Sequence, residues 1–135
     1  MRNPRALLTV ALCLFVLSGC GGDGRLNAKG RIVKGGAPFT VPEGEYVRVI
    51  FFPVTSDGQP PQNTYIAAYN RADGTFRAMG PDGKGIPPGK YRIALEHLKK
   101  KKDLFRGAFD GDRTPIVREV QGSTEILIDL DHPSS

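Results

Sequence analysis

The side chains able to carry chemistry near neutral pH are few: His97, His132, Cys13 and Cys20. Imidazole and thiol can act as proton carriers, nucleophiles or metal ligands. His97 has the parity of Tyr91, Ile93 and Leu95, so on an alternating strand it points inward at the strand's end. A general base needs a nucleophile within hydrogen-bond reach, and no Ser or Cys context accompanies His97. A hydrogen-bonded structural histidine is the expectation. His132 falls in Asp131-His132-Pro133-Ser134-Ser135, expected as a mobile tail. Asp110-Gly111-Asp112 and Asp82-Gly83 have the composition of calcium loops. A calcium-binding loop of the helix–loop–helix type needs Gly at its sixth position and Glu at its twelfth. Counted from Asp110, Pro115 and Gln121 stand there, so these are expected to be turn carboxylates. Gly80-Pro81-Asp82-Gly83-Lys84-Gly85 is glycine-rich but lacks the spacing and Lys-Ser/Thr of a phosphate loop. No catalytic, cofactor or metal site is expected.

The sharpest charge feature is Lys99-Lys100-Lys101-Lys102, followed by Asp103-Leu104-Phe105-Arg106-Gly107-Ala108-Phe109. Four like charges in a row are ordinarily a solvated loop. They also form a candidate interaction surface: Lys99, Lys100, Lys101 and Lys102, with Phe105 and Phe109 adding apolar contact if they face outward. Otherwise the two rings cover an end of the domain.

The N-terminus is a targeting segment by its pattern. Arg2 and Arg5 precede Ala6–Leu17, twelve residues that are apolar except for Thr9. As a helix this run spans ~18 Å, short of the ~30 Å core of a bilayer, so a signal peptide fits better than a membrane span. The run ends in Leu17-Ser18-Gly19-Cys20. This resembles the lipobox of bacterial lipoproteins. The resemblance implies cleavage before Cys20, a diacylglyceryl thioether on its sulfur, and often a third acyl chain on the new amine. Two or more chains give a stable anchor where one does not. Gly21 follows in place of the aspartate that favours inner-membrane retention in well-studied lipoproteins, which leans towards the outer membrane. Cys13 leaves with the signal, so the mature chain has no thiol pair and no disulfide framework.

Composition agrees with an exported single domain. Without residues 1–19, 116 residues remain, with 17 basic and 14 acidic side chains in place of 19 and 14. That length suffices for a core without staples. The basic balance points to lipid headgroups, acidic polysaccharide or wall polymers, and not to nucleic acid. Gly21–Asn27 is expected as a flexible tether with a reach of ~15 Å. It would hold the domain, and the basic loop, near an anionic surface.

Seven alternating runs are expected as strands: 29–34, 45–54, 64–70, 75–79, 90–98, 116–120 and 124–130. Val47, Val49 and Phe51 share one face of the second. Tyr91, Ile93 and Leu95 point inward from the fifth, and Ile126, Ile128 and Leu130 from the seventh. Asp73-Gly74 is expected as a type I′ hairpin turn. With 17 glycines and 11 prolines lying mostly between these runs, the chain reads as all-β, a seven-stranded antiparallel two-sheet β-sandwich over residues 28–131.

Gly30-Arg31-Ile32-Val33-Lys34-Gly35-Gly36-Ala37-Pro38, Asp73-Gly74-Thr75-Phe76 and Ile86-Pro87-Pro88-Gly89-Lys90-Tyr91-Arg92-Ile93 resemble the turn-and-strand signatures of transthyretin-like, carboxypeptidase regulatory-like domains. The resemblance covers about Gly30 to Leu130 and concerns fold only. Hydroxyisourate hydrolases share that fold, but they carry several histidines, an arginine and a C-terminal Tyr-Arg-Gly-Ser that this chain lacks, so that activity is not expected. The expectation is a monomeric, non-enzymatic envelope lipoprotein. Its partners would be the membrane, through Cys20, and an envelope protein or anionic envelope polymer. The alternative is a small-ligand or carbohydrate-binding module, for which Tyr46, Tyr65 and Tyr69 are the candidate stacking platforms in a chain without tryptophan.

Overall fold

The computed structural model describes residues 24–122 and 125–135. The expected signal segment, Cys20 and the start of the tether lie outside the described residues. Among the described residues nine strands form: β1 (Ala28–Lys34), β2 (Ala37–Pro38), β3 (Glu45–Pro53), β4 (Tyr65–Tyr69), β5 (Thr75–Ala78), β6 (Gly89–Lys99), β7 (Lys102–Asp103), β8 (Val117–Val120) and β9 (Ile126–Asp129). Seven of them are the seven expected runs, with ends shifted by one or two residues. β2 and β7 are too short to show alternation in the sequence. Among the described residues no helix is long and apolar enough to cross a membrane.

Hydrogen bonds link the strands in the order β2-β1-β5-β4-β3-β6-β7, with β8 also on β6 and β9 also on β1. Period-two alternation puts one side chain in two on the inner face. Ile32 of β1, Val47, Val49 and Phe51 of β3, Phe76 of β5, Tyr91, Ile93 and Leu95 of β6, and Ile126 and Ile128 of β9 meet in one core. Each such aliphatic or phenyl side chain contributes roughly 1.5–3 kcal/mol by burial. Phe51 and Tyr91 touch edge-on with centroids 5.7 Å apart.

Two expectations are corrected. The strands are antiparallel except β9, which runs parallel to β1, pairing Ile32 with Ile128. Alternation carries no direction, and both strands enter from the same end of the molecule. The Asp73-Gly74 turn is not type I′: Gly74 has φ +74°, but Asp73 is not among the residues with positive φ. Arg71–Gly74 form a four-residue connection, closed by the Gly74 N–H donating to the Asn70 carbonyl at 2.9 Å. Asp73 Oδ1 accepts the Thr75 N–H at 2.9 Å and the Thr75 hydroxyl at 2.6 Å, and such local acceptors favour the longer loop.

The strand directions give the molecule two distinct ends. Four antiparallel pairings separate β1 from β6, so both run the same way. Ala28 and Gly89 open them at one end, and Lys34 and Lys99 close them at the other. β6 covers ~33 Å between these ends at ~3.3 Å per residue. At the first end Leu26 exchanges both backbone hydrogen bonds with Ile86, each 2.8 Å. Gly85 permits this approach: its φ is +101°, and a Cβ there would stand 2.5 Å from the Leu26 carbonyl oxygen. Arg25 clasps Asp82 through two N–H···O contacts of 3.0 and 2.9 Å, which holds the Asp82 carboxyl below its usual range. Arg25 and Leu26, expected in the tether, are therefore fastened to the domain.

Candidate functional site

The four lysines are not a long loop. β6 ends on Lys99 and β7 begins on Lys102, paired directly opposite each other, with Leu98 opposite Asp103. Lys100 and Lys101 alone make the turn, with φ of 49° and 66°. Positive φ at both central residues is the type I′ pattern, which matches the twist of hairpin strands and is normally filled by Asn-Gly. A residue with a Cβ loses roughly 1–2 kcal/mol in the left-handed region. Arg106 adds a third left-handed side chain, with φ of 56°. Lys99, Lys100, Lys101, Lys102 and Arg106 are all exposed.

A rigid base lies under the turn. β3 starts opposite the end of β6, which sets Glu45 against Lys99. Glu45 Oε1 meets Lys99 Nζ at 2.9 Å, and Oε2 meets His97 Nε2 at 2.7 Å. The Lys99 hydrogen bond first and the His97 hydrogen bond second hold the Glu45 carboxyl below its ordinary value, against the opposing effect of burial. The His97 ring packs edge-on between Phe39, 5.5 Å away, and Phe105, 5.6 Å away. It is thus a hydrogen-bonded strand-end histidine, as its parity implies. Asp103 ties down the chain that follows. Its Oδ1 accepts the N–H groups of His97 and Phe105, each at 3.0 Å, and its Oδ2 accepts that of Gly107 at 2.8 Å.

The segment after the hairpin then returns along β6. The Leu104 N–H donates to the His97 carbonyl at 2.7 Å, the Leu95 N–H to Phe109 at 3.0 Å, and the Ile93 N–H to Ile116 at 2.9 Å. This edge is covered instead of being left open for pairing. Phe105 and Phe109 are half-buried against the core, with centroids 5.2 Å apart. They cover the end of the domain and do not project with the lysines. The apolar side chain exposed beside the tip is Leu104, at 41%.

No protein-family model, curated protein or solved structure matches this chain.

The function must be sought in the arrangement itself. The hairpin assembles Lys99 to Lys102 as one cationic end, and it adds Arg106, Glu45 and Asp103, which sequence reasoning did not single out. Arg106 belongs to the expected stretch, but its left-handed backbone has no sequence signal. Glu45 lies 52 residues from His97, and only strand register joins them. Leu26 is at the opposite end of β6, so the tip is ~33 Å along the strand from Leu26.

The remaining candidates are dispersed. Among the described residues no group of three or more His, Cys, Asp or Glu side chains is placed to hold a metal. Asp110 accepts the Arg113 N–H at 2.9 Å and Asp82 the Lys84 N–H at 3.2 Å, both as turn carboxylates. His132 contacts Asp129 at 3.2 Å. The last residues are not a free tail: Arg118 donates to the carbonyl oxygens of Leu127, Pro133 and Ser135. Of the three tyrosines, Tyr46 is half exposed, while Tyr65 and Tyr69 pack against the core. Tyr69 donates to the Phe39 carbonyl, and burial pushes its hydroxyl up to about 12. They form no common stacking platform.

Proposed function

We propose that this chain is an exported lipoprotein, held in a bacterial envelope by lipid on Cys20, in the outer membrane rather than the inner. Its domain is a monomeric, non-enzymatic binding module, a two-sheet β-sandwich of the transthyretin-like kind. The lipobox pattern Leu17-Ser18-Gly19-Cys20 behind a basic, apolar leader supports the anchor. The layered fold is supported by Phe51 of β3 meeting Phe76 of β5 at 6.1 Å across the core. It is also supported by Arg118 of β8 reaching the Leu127 carbonyl of β9 at 3.3 Å, between edges that backbone pairing leaves apart.

The observation that carries the reading is the division of labour between the two ends. The chain arriving from Cys20 is clamped at one end by Arg25 and Leu26, and the exposed lysines occupy the other. An anchored domain with its free end braced and charged is built to hold something. The test of the anchor is metabolic labelling with radioactive palmitate. Wild type should carry label and partition into detergent, and Cys20→Ala should do neither. Equal label in both, or in neither, would sink the proposal.

The small-ligand alternative has one observation in its favour. A groove of ≈ 560 Å³ runs beside Phe52, Gln59, Pro60, Pro61, Arg92 and Asp112, and the Arg92 guanidinium has no ion-pair or hydrogen-bond partner among the described residues. A ligand carboxylate suits such a group. Arg92→Gln abolishing binding of a carboxylated sugar would favour that reading.

A further inference from the structure

Among the described residues, every non-glycine residue with positive φ is a cation within one seven-residue stretch: Lys100, Lys101 and Arg106. Such strain persists only where the surroundings over-determine it, and it is a reason to look for function. Asn-Gly would make the same turn without strain, so this turn gives up stability for charge at its tip. The surroundings leave these tip cations without a direct ion-pair partner. Glu45 is occupied by Lys99 and His97. Asp103 is occupied by three backbone N–H groups. Lys100, Lys101, Lys102 and Arg106 form no ion pair among the described residues, and neither does exposed Glu43, which precedes β3.

We propose that Lys100, Lys101, Lys102 and Arg106 form a docking tip for a polyanionic glycan, a polysaccharide with repeated carboxylate or phosphate groups. It lies on the side of the domain away from the anchoring membrane. The orientation rests on the lipoprotein reading; the binding does not. A polymer is the fitting partner because one exposed ion pair contributes little, whereas repeated charges on one chain let several contacts add. Its own membrane fits less well. The tip is ~33 Å along β6 from Leu26, several times the ~8 Å Debye length at physiological salt.

The test uses the full chain in non-ionic detergent, with polygalacturonate, monomeric galacturonate, dextran and phosphatidylglycerol vesicles as probes. Polygalacturonate should bind at low salt and weaken about ten-fold or more on passing to physiological salt, with monomer and dextran binding far less. Lys100→Asn/Lys101→Gly should cut polymer affinity about ten-fold while raising Tm by about 4 °C or more. Binding lost together with stability gained cannot come from misfolding. Lys100→Arg/Lys101→Arg should keep the affinity. The proposal is overturned if polygalacturonate does not bind at low salt, if the Asn-Gly variant binds equally well, or if vesicles bind as tightly as the polymer. A chain that binds polymer but carries no acyl label would refute the anchor and leave the docking tip standing.

Discussion

Gly35-Gly36 and Lys100-Lys101 close two-residue hairpins with the same backbone shape. The φ angles are 60° and 77° in the first and 49° and 66° in the second, and each turn is flanked by one directly opposed pair, Lys34 with Ala37 and Lys99 with Lys102. The glycine turn adopts this shape without a Cβ penalty. The lysine turn adopts it against one. Their supports differ accordingly. The glycine turn continues from Ile32, fully buried beside Ile128, with a single carboxylate contact from Asp131 to the Gly35 N–H at 2.6 Å. Under the lysine turn lie Glu45 bridging Lys99 and His97, and Asp103 accepting three N–H groups. A turn that suits its backbone needs little support, whereas one chosen for its charge must be held in place from below.

The largest effect should come from the core beneath the glycine turn. Ile128→Ala should lower the unfolding free energy by about 2–5 kcal/mol, measured by urea denaturation. A loss under about half a kcal/mol would mean that β9 presents its other face. Next is a transplant. Gly35→Lys with Gly36→Lys should cost about 2–4 kcal/mol, from two left-handed residues at roughly 1–2 kcal/mol each. A smaller loss would show that position, not strain, distinguishes the turns. Third, Asp103→Ala leaves three donors without their acceptor and should cost about 1–3 kcal/mol. Hydrogen exchange should accelerate at the Phe105 and Gly107 amides while those near Gly35 keep their protection.

The smallest effect is a pH dependence confined to the lysine end. Glu45 has its folded pKa held below its ordinary 4.5. Its contribution is therefore full above the unfolded value and is lost as pH falls through the lower folded value. Thermal unfolding of wild type and Glu45→Gln should show a wild-type advantage at neutral pH that shrinks on acidification below about pH 4.5. A gap that stays constant to pH 3 would assign the Glu45 contacts no role in holding the turn.

The strands were legible because Val47-Arg48-Val49-Ile50-Phe51 and Tyr91-Arg92-Ile93-Ala94-Leu95 alternate cleanly, and side-chain period two is a local property of an extended backbone. The lysine turn was not, because its residues break the turn chemistry by which a sequence announces a hairpin. The candidate site divided in the same way. Four charges in a row are plain in the sequence. Glu45 and Asp103, which hold them, are an unremarkable strand-start glutamate and a lone aspartate until register sets them beside His97. Phe105 and Phe109 carried an ambiguity that only packing resolved, since an aromatic after a charged run suits a covered end as well as an exposed surface.

By itself the sequence determined which side chains of the long strands face the core, and that four lysines follow one another directly after the Tyr91–Leu95 alternation. Those are properties of neighbouring residues. Tertiary structure alone decided that β9 runs parallel to β1, that Glu45 lies beneath Lys99, and that the four lysines stand at the far end from Leu26. Each depends on hydrogen bonds between segments distant in the chain, and alternation, which is blind to strand direction, does not encode them.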